Sequence, residues 1–336
     1  MPFVENIRNY QSLSIVGLEK NTGKTVCLNY LLARLHQMGV STAVTSIGVD
    51  GEQVDSVYAT AKPEITLYEG MQFITSEQHY RLRRLVSRIL AVDEHRTALG
   101  QLVTAEVVYR GKVLLSGAST TGMLRKQIAQ FESSGVALTV VDGALSRLSL
   151  ASPTVTEAMI LATGAAVSPN VQQLISRTRF VFRLINIPEV SSALRDTLSP
   201  LQSGLWSVDS EGVPHDLGVA SVFLLDRIES NIYHYGSTFF ATGAVSDRLL
   251  RHLLSNPCIK DTLVIVRDFT KLFISPETLA EYSKRGGRMA VLQRSHLVAI
   301  CFNPTSPQGY TLNSRSTCAQ LSEALQCPVY DVLQPS

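Results

Sequence analysis

The chain is expected to adopt an α/β fold: a mostly parallel, doubly wound sheet followed by a second, smaller α/β unit. Three observations point there. Short β-rich runs alternate with segments of helical hydrophobic period. One run, Val136-Ala137-Leu138-Thr139-Val140-Val141, is almost wholly apolar, which suits a central strand buried on both faces. A glycine-containing loop, Gly17-Leu18-Glu19-Lys20-Asn21-Thr22-Gly23-Lys24-Thr25, joins the first strand to the first helix. A length of 336 residues suits about two domains. The expected extents are 1–190 for the first, 191–218 for an irregular linker and 219–336 for the second.

The elements follow in order. Leu13–Val16 is a strand ending at Gly17, and Val26, Leu28, Leu31, Leu32 and Leu35 mark a helix that Gly39 stops. Thr42–Thr45 is a second strand. Ile65–Thr75 is extended, and Glu77–Leu90 reads as an amphipathic, Arg-rich helix whose Arg81, Arg83, Arg84 and Arg88 form a solvated or partner-facing side. Lys112–Ser116 is a strand, Leu124–Phe131 a helix, Val136–Val141 the central strand, Asn170–Ser176 a helix and Phe180–Ile185 a further strand. Ser, Pro, Gly, Asp and Glu then become frequent up to Gly218. Beyond it, Ser221–Leu225, Thr238–Ala241, Thr262–Val266, Ala290–Leu292 and Leu297–Cys301 are strand candidates. Asp247–Ser255, Pro276–Arg285 and Cys318–Leu325 are the matching helices.

Composition narrows the function classes. Lys+Arg of 30 against Asp+Glu of 28 gives a net charge of +2, so there is no electrostatic case for nucleic acid or an acidic membrane surface. No apolar run reaches the ~18 residues of a membrane span, and the first residues lack the basic start and apolar run of a signal peptide. Charged residues are 17%, below the ~25% of an average soluble domain, which implies much buried surface, with room for a homo-oligomeric interface. The five scattered cysteines form no CxxC and no zinc spacing; reduced thiols in a cytoplasm are expected, with Cys27 as core filler. His79, His95, His234, His252 and His296 show no metal-ligand spacing.

The loop carries the chemistry. A strand, then glycines, then Lys-Thr at a helix start is the context of a phosphate-binding loop. Gly17 and Gly23 let the backbone approach a polyphosphate, with Glu19, Lys20, Asn21 and Thr22 between them lining it. The helix N-terminus adds positive potential. Lys24 is the candidate catalytic lysine that bridges the terminal phosphates, and the Thr25 hydroxyl is a candidate Mg²⁺ ligand. In a parallel sheet, ligands sit at the carboxyl ends of the strands. Asp142, closing the central strand, is therefore the leading catalytic and metal-binding carboxylate. The alternative is a turn aspartate before Gly143. After the second strand Asp50, Glu52 and Asp55 compete for a share of the metal, with Asp50 preferred, and Gly117–Gly122 is a small-residue loop able to accept anions.

Five residues separate Gly17 from Gly23, one more than in G-x-x-x-x-G-K-[ST]. This longer loop resembles that of the dethiobiotin synthetase and cobyrinic acid synthase group of P-loop NTPases, over about residues 12–190. The resemblance implies Mg²⁺ and ATP, with a carboxylate after the second strand sharing the metal. It also implies an adenine contact from an asparagine near Asn186, which otherwise reads as a turn residue. No guanine-reading N-K-x-D motif occurs, and GTP is the alternative nucleotide. Two longer stretches, Thr45–Glu52 and Val141–Ala165, look like the P-loop subunit of lysine 5,6-aminomutase reactivases. That likeness implies an ATPase partnered with a cobalamin-dependent aminomutase and a companion subunit, promoting exchange of damaged cofactor. A carboxylate ligase of the dethiobiotin synthetase type and a non-catalytic nucleotide-binding assembly protein are the alternatives. The second half, without an evident catalytic constellation, favours a docking role over a second active site.

Overall fold

A computed structural model describes residues 1–47, 64–143, 151–219 and 232–334. In chain order its elements begin with α1 (Phe3–Ile7), β1 (Ser12–Gly17), α2 (Lys24–Gln37), β2 (Thr42–Ser46), β3 (Ile65–Leu67), β4 (Gln72–Ser76), α3 (Glu77–Arg81), β5 (Arg84–Thr97) and β6 (Gly100–Val113). Next come α4 (Thr121–Ser133), β7 (Leu138–Gly143), β8 (Ala158–Gly164), α5 (Val171–Ile185), α6 (Ser192–Leu198), β9 (Leu205–Val208) and β10 (Pro214–Val219). The remainder is β11 (Thr238–Ala241), β12 (Val245–Ser246), α7 (Asp247–Leu254), β13 (Leu263–Val266), β14 (Leu272–Phe273), α8 (Pro276–Lys284), β15 (Arg288–Val291), β16 (His296–Asn303), α9 (Ser314–Leu325) and β17 (Val329–Tyr330).

Two compact units result. The first comprises Met1–Arg179 and His296–Ser336, the second Phe180–Ser295. The chain therefore leaves the first unit within α5 and returns at β16, rather than dividing near 190 and 219. The cause is strand pairing: β16 lies parallel to β8 with Ile300 opposite Leu161 and Asn303 opposite Gly164, and β17 extends that edge.

The first unit is α/β with a large mixed sheet. Its order is β17-β16-β8-β1-β7-β2-β4-β6-β3, with β5 on the far side of β6. From β17 to β4 every neighbouring pair is parallel, whereas β6 is antiparallel to β4, β3 and β5. All six residues of β1 are buried, which its central place requires. Polar Ser14 is accommodated there because its hydroxyl donates to Ala158 O and accepts from Thr156 Oγ1. On α2, Cys27, Leu28, Leu31, Leu32 and Leu35 form one buried stripe, and Gly39, at φ 68°, ends the helix as its position predicts.

The expected helix over 77–90 stops at Arg81, and a 14-residue strand follows from Arg84. Leu85, Val86, Ile89, Leu90 and Val92 carry a helical spacing, but three of the five, Val86, Ile89 and Val92, are β-branched and find a ladder in β6. The expected strand at Phe180–Ile185 is instead the last part of α5. Its run of aromatic and β-branched residues mimics a strand, yet Leu174, Thr178 and Ile185 bury at helical intervals. The segment expected to be irregular contains α6, β9 and β10.

The second unit is also α/β. Its sheet runs β10-β9-β11-β13-β15, parallel from β11 to β15 and antiparallel at β9 and β10. Leu198, Val208, Phe240, Ile265, Ala290 and Leu292 form a core of its own. The strand candidate Ser221–Leu225 lies outside the described residues. Among those described, no helix is long and apolar enough to cross a membrane.

Candidate functional site

The Gly17–Thr25 loop leaves the sheet at its centre. β1 lies between β7 and β8, with Ile15 opposite Asp142 and Gly17 opposite Ala162. Leu18 N donates to Ala162 O at 2.8 Å, so the loop peels away only after the strand has been held to its last residue. A Cβ on Gly17 would stand 2.5 Å from Thr22 Oγ1 and 2.8 Å from Lys24 Cγ. The missing side chain is what lets Lys24 fold back across the strand end. Asn21 (φ 61°) and Gly23 (φ 89°) adopt left-handed backbone to turn the chain into α2. Thr22 Oγ1 braces the turn by donating to Glu19 O at 2.9 Å.

Asn303, at the end of β16, supports the loop from outside. A Cβ on Gly23 would lie 2.6 Å from Asn303 Cβ, so this position requires glycine for space as well as for φ. Asn303 Nδ2 donates to Asn21 O at 3.3 Å and to Thr305 O at 3.1 Å. Sequence reasoning did not single out Asn303. The available signal was an Asn-Pro pair closing an apolar strand, but nothing local links residue 303 to residue 23.

The charges converge on Lys24. Burial holds its ammonium below the ordinary value of 10.5; the Asp142 carboxylate pulls the other way, and Lys20 adds to the lowering. Lys20, Lys24 and Asp142 are thus electrostatic neighbours. Glu19 pairs with Arg177 of α5 at 2.6 Å. Among the described residues the buried Asn21 Nδ2 finds no hydrogen-bond partner, a donor left over inside a loop rich in donors.

Asp142 is half-buried near the end of β7, level with Ser46 on β2, and Ser46 Oγ donates to its carbonyl at 3.2 Å. The Gly117 loop reaches the same edge, where Ile47 and Ala118 form a parallel bridge. Thr25 is half-buried on the first turn of α2. Asp50, Glu52 and Asp55 fall outside the described residues. Asn186 follows α5 in the second unit; its Nδ2 donates to Phe182 O at 2.8 Å and its Oδ1 accepts from Arg294. Among the described residues no group of three or more His, Cys, Asp or Glu is placed to hold a metal ion. Mg²⁺ bound with phosphates needs only one or two protein oxygens, and Thr25 with Asp142 are of that kind. Cys27 and Cys301 are buried with sulfurs 3.3 Å apart, and all five cysteines are free.

Comparison of the chain with protein-family models, with curated proteins and with solved structures finds no match. What the site can do is therefore argued from its residues. Backbone N–H groups at a helix start, two lysines and an unsatisfied amide donor suit a polyanion.

A polyanion would also reverse the penalty on Lys24. Because its folded-state value is lowered, the unfolded chain holds the proton more tightly between that value and 10.5. Lys24 thus costs stability at neutral pH, and this cost fades as pH rises through the window. Inorganic tripolyphosphate should raise the value again and draw in a proton at alkaline pH. Titration calorimetry in buffers of different ionisation enthalpy is expected to show this uptake in wild type and not in Lys24→Arg. Equal enthalpies in all buffers for both proteins would place Lys24 away from the anion.

Proposed function

We propose that the chain is a P-loop NTPase that binds Mg²⁺–ATP at Gly17–Thr25 and hydrolyses it. The observation that carries this reading is Lys24 folded back over Gly17, with Lys20 and Asp142 as its charged neighbours, at the carboxyl edge of parallel strands. In this role Lys24 neutralises the terminal phosphates, and the loop N–H groups and Asn21 orient them. The Thr25 hydroxyl and the Asp142 carboxylate would hold Mg²⁺, which would supply neutralisation of phosphate charge.

The partner follows from the resemblance to aminomutase reactivases: hydrolysis drives release of damaged cobalamin from an aminomutase, together with a companion subunit. Residues 180–295 support a partner-directed role, since they fold around their own core and are inserted between the first part of α5 and β16, leaving the loop-bearing sheet complete without them. Nucleotide can move such a partner only if two states of this protein bind it with different affinity. Slow ATP hydrolysis by the protein alone is expected, with a rise when inactivated aminomutase and the companion are added. Mutase activity should recover only with ATP, and GTP should compete poorly. No recovery under any combination, together with ATP-dependent turnover of a small carboxylic acid, would replace this reading with the ligase alternative.

A further inference from the structure

We infer that Glu19 and Arg177 form a latch on the phosphate loop: Glu19 holds Arg177 until a polyphosphate in the loop takes the guanidinium over. The inference rests on the nucleotide reading and adds to it a cation that the loop itself does not contain. A carboxylate within an anion-binding loop opposes the loop's task unless something neutralises it. Glu19 sits between Gly17 and Gly23, and its Oε1 accepts from Arg177 Nη1 at 2.6 Å. The same Nη1 donates to Val167 O at 3.2 Å. Arg177 therefore ties together the two loops that leave the adjacent parallel strands β1 and β8. Both loops open at the carboxyl edge, where a ligand belongs.

The geometry leaves Arg177 able to change partners. Its hydrogen bonds among the described residues all use Nη1, so Nη2 and Nε keep the rest of the fork for planar, bidentate recognition of phosphate. The side chains of Arg177 and Glu19 are 58% and 41% exposed, so their pair costs little to open. A phosphate chain next to Glu19 both repels the carboxylate and offers Arg177 a stronger acceptor. Arg177 then grips the terminal phosphate only when it is present, which favours ATP over ADP.

A structural strut and a latch predict different signs. If the pair only braces two loops, Glu19→Gln and Arg177→Ala remove the same contact and shift nucleotide affinity the same way. If it is a latch, Glu19→Gln frees Arg177 and removes a repulsive charge, whereas Arg177→Ala removes the cation. Affinities for fluorescent ATP and ADP analogues, with hydrolysis rates, would be measured on the full chain with thermal unfolding as the folding control. Glu19→Gln is expected to bind the ATP analogue about threefold or more tighter, and Arg177→Ala about tenfold or more weaker, with smaller changes for ADP. Arg177→Lys should fall between wild type and Arg177→Ala. Shifts of the same sign in Glu19→Gln and Arg177→Ala, or equal changes for ATP and ADP, would overturn the latch while Lys24-dependent binding in wild type upheld the nucleotide reading. Wild type that binds neither analogue would overturn both.

Discussion

Lys24→Ala is expected to abolish detectable Mg²⁺–ATP binding and to leave the fold intact. The stability half of this expectation follows from the helix. The stripe that α2 buries is Cys27, Leu28, Leu31, Leu32 and Leu35, and Lys24 is not part of it. Alanine is the best helix former, and the variant sheds an ammonium whose charge burial disfavours. Its unfolding midpoint should therefore match or slightly exceed that of wild type. The binding half follows from the role proposed for the lysine on phosphate. A charge-assisted hydrogen bond contributes about 1.5–3 kcal/mol, and a lysine spanning two phosphates makes two or more. The loss is then about 3 kcal/mol or greater, at least ~100-fold in affinity. Thr25→Ala should bind more weakly chiefly by losing its Mg²⁺ dependence. Titration calorimetry and thermal unfolding decide the matter together: wild-type affinity in Lys24→Ala would remove the loop from function, whatever its shape.

This site was legible because its signals are local. The strand, the glycines, Lys24 and the helix occupy one short stretch, and Asp142 was reached through a rule about strand ends that needs only the strand. What was not legible depends on distant pairing. Nothing within residues 296–303 announces that they add to the first sheet beside β8, so the chain's return was placed in the second unit. Asn303 and Arg177 are invisible for the same reason, since each meets the loop only after the sheet has assembled. β8 is buried throughout, yet it was not among the strands expected from the sequence. The hairpin of β5 and β6 was misread for a different cause. Its first strand satisfies a helical period, and only the existence of the antiparallel β6 ladder decides between the two conformations.

Gly117→Ala is expected to be the most damaging added methyl among the described glycines of the first unit. A Cβ there would stand 1.7 Å from Ser46 O and 2.9 Å from Thr45 Oγ1. Neither side can yield cheaply. Residue 116 is pinned by a buried network in which Ser116 Oγ accepts from Ser76 N at 3.0 Å, donates to Ser76 Oγ at 2.8 Å and meets His79 Nδ1 at 2.9 Å. Residue 118 is pinned by its bridge to Ile47. The opposing carbonyl belongs to the last residue of β2, which is paired to β7 and whose hydroxyl bonds Asp142 O. Overpacking a rigid site costs about 1–3 kcal/mol and sometimes more; with backbone on both sides the upper end applies, about 3 kcal/mol. Gly122→Ala is the control. Its Cβ would have nothing nearer than Thr120 Oγ1 at 4.0 Å, and on the first turn of α4 alanine should be neutral or stabilising by up to about 1 kcal/mol. In denaturant unfolding Gly117→Ala should be less stable than Gly122→Ala by about 3–4 kcal/mol. Equal stability would mean that the Gly117 loop does not press on β2. If the difference is found and Asp142 holds Mg²⁺ as proposed, the folded fraction of Gly117→Ala should also need more Mg²⁺ for hydrolysis, because the displaced Ser46 carries the strain into the backbone of Asp142.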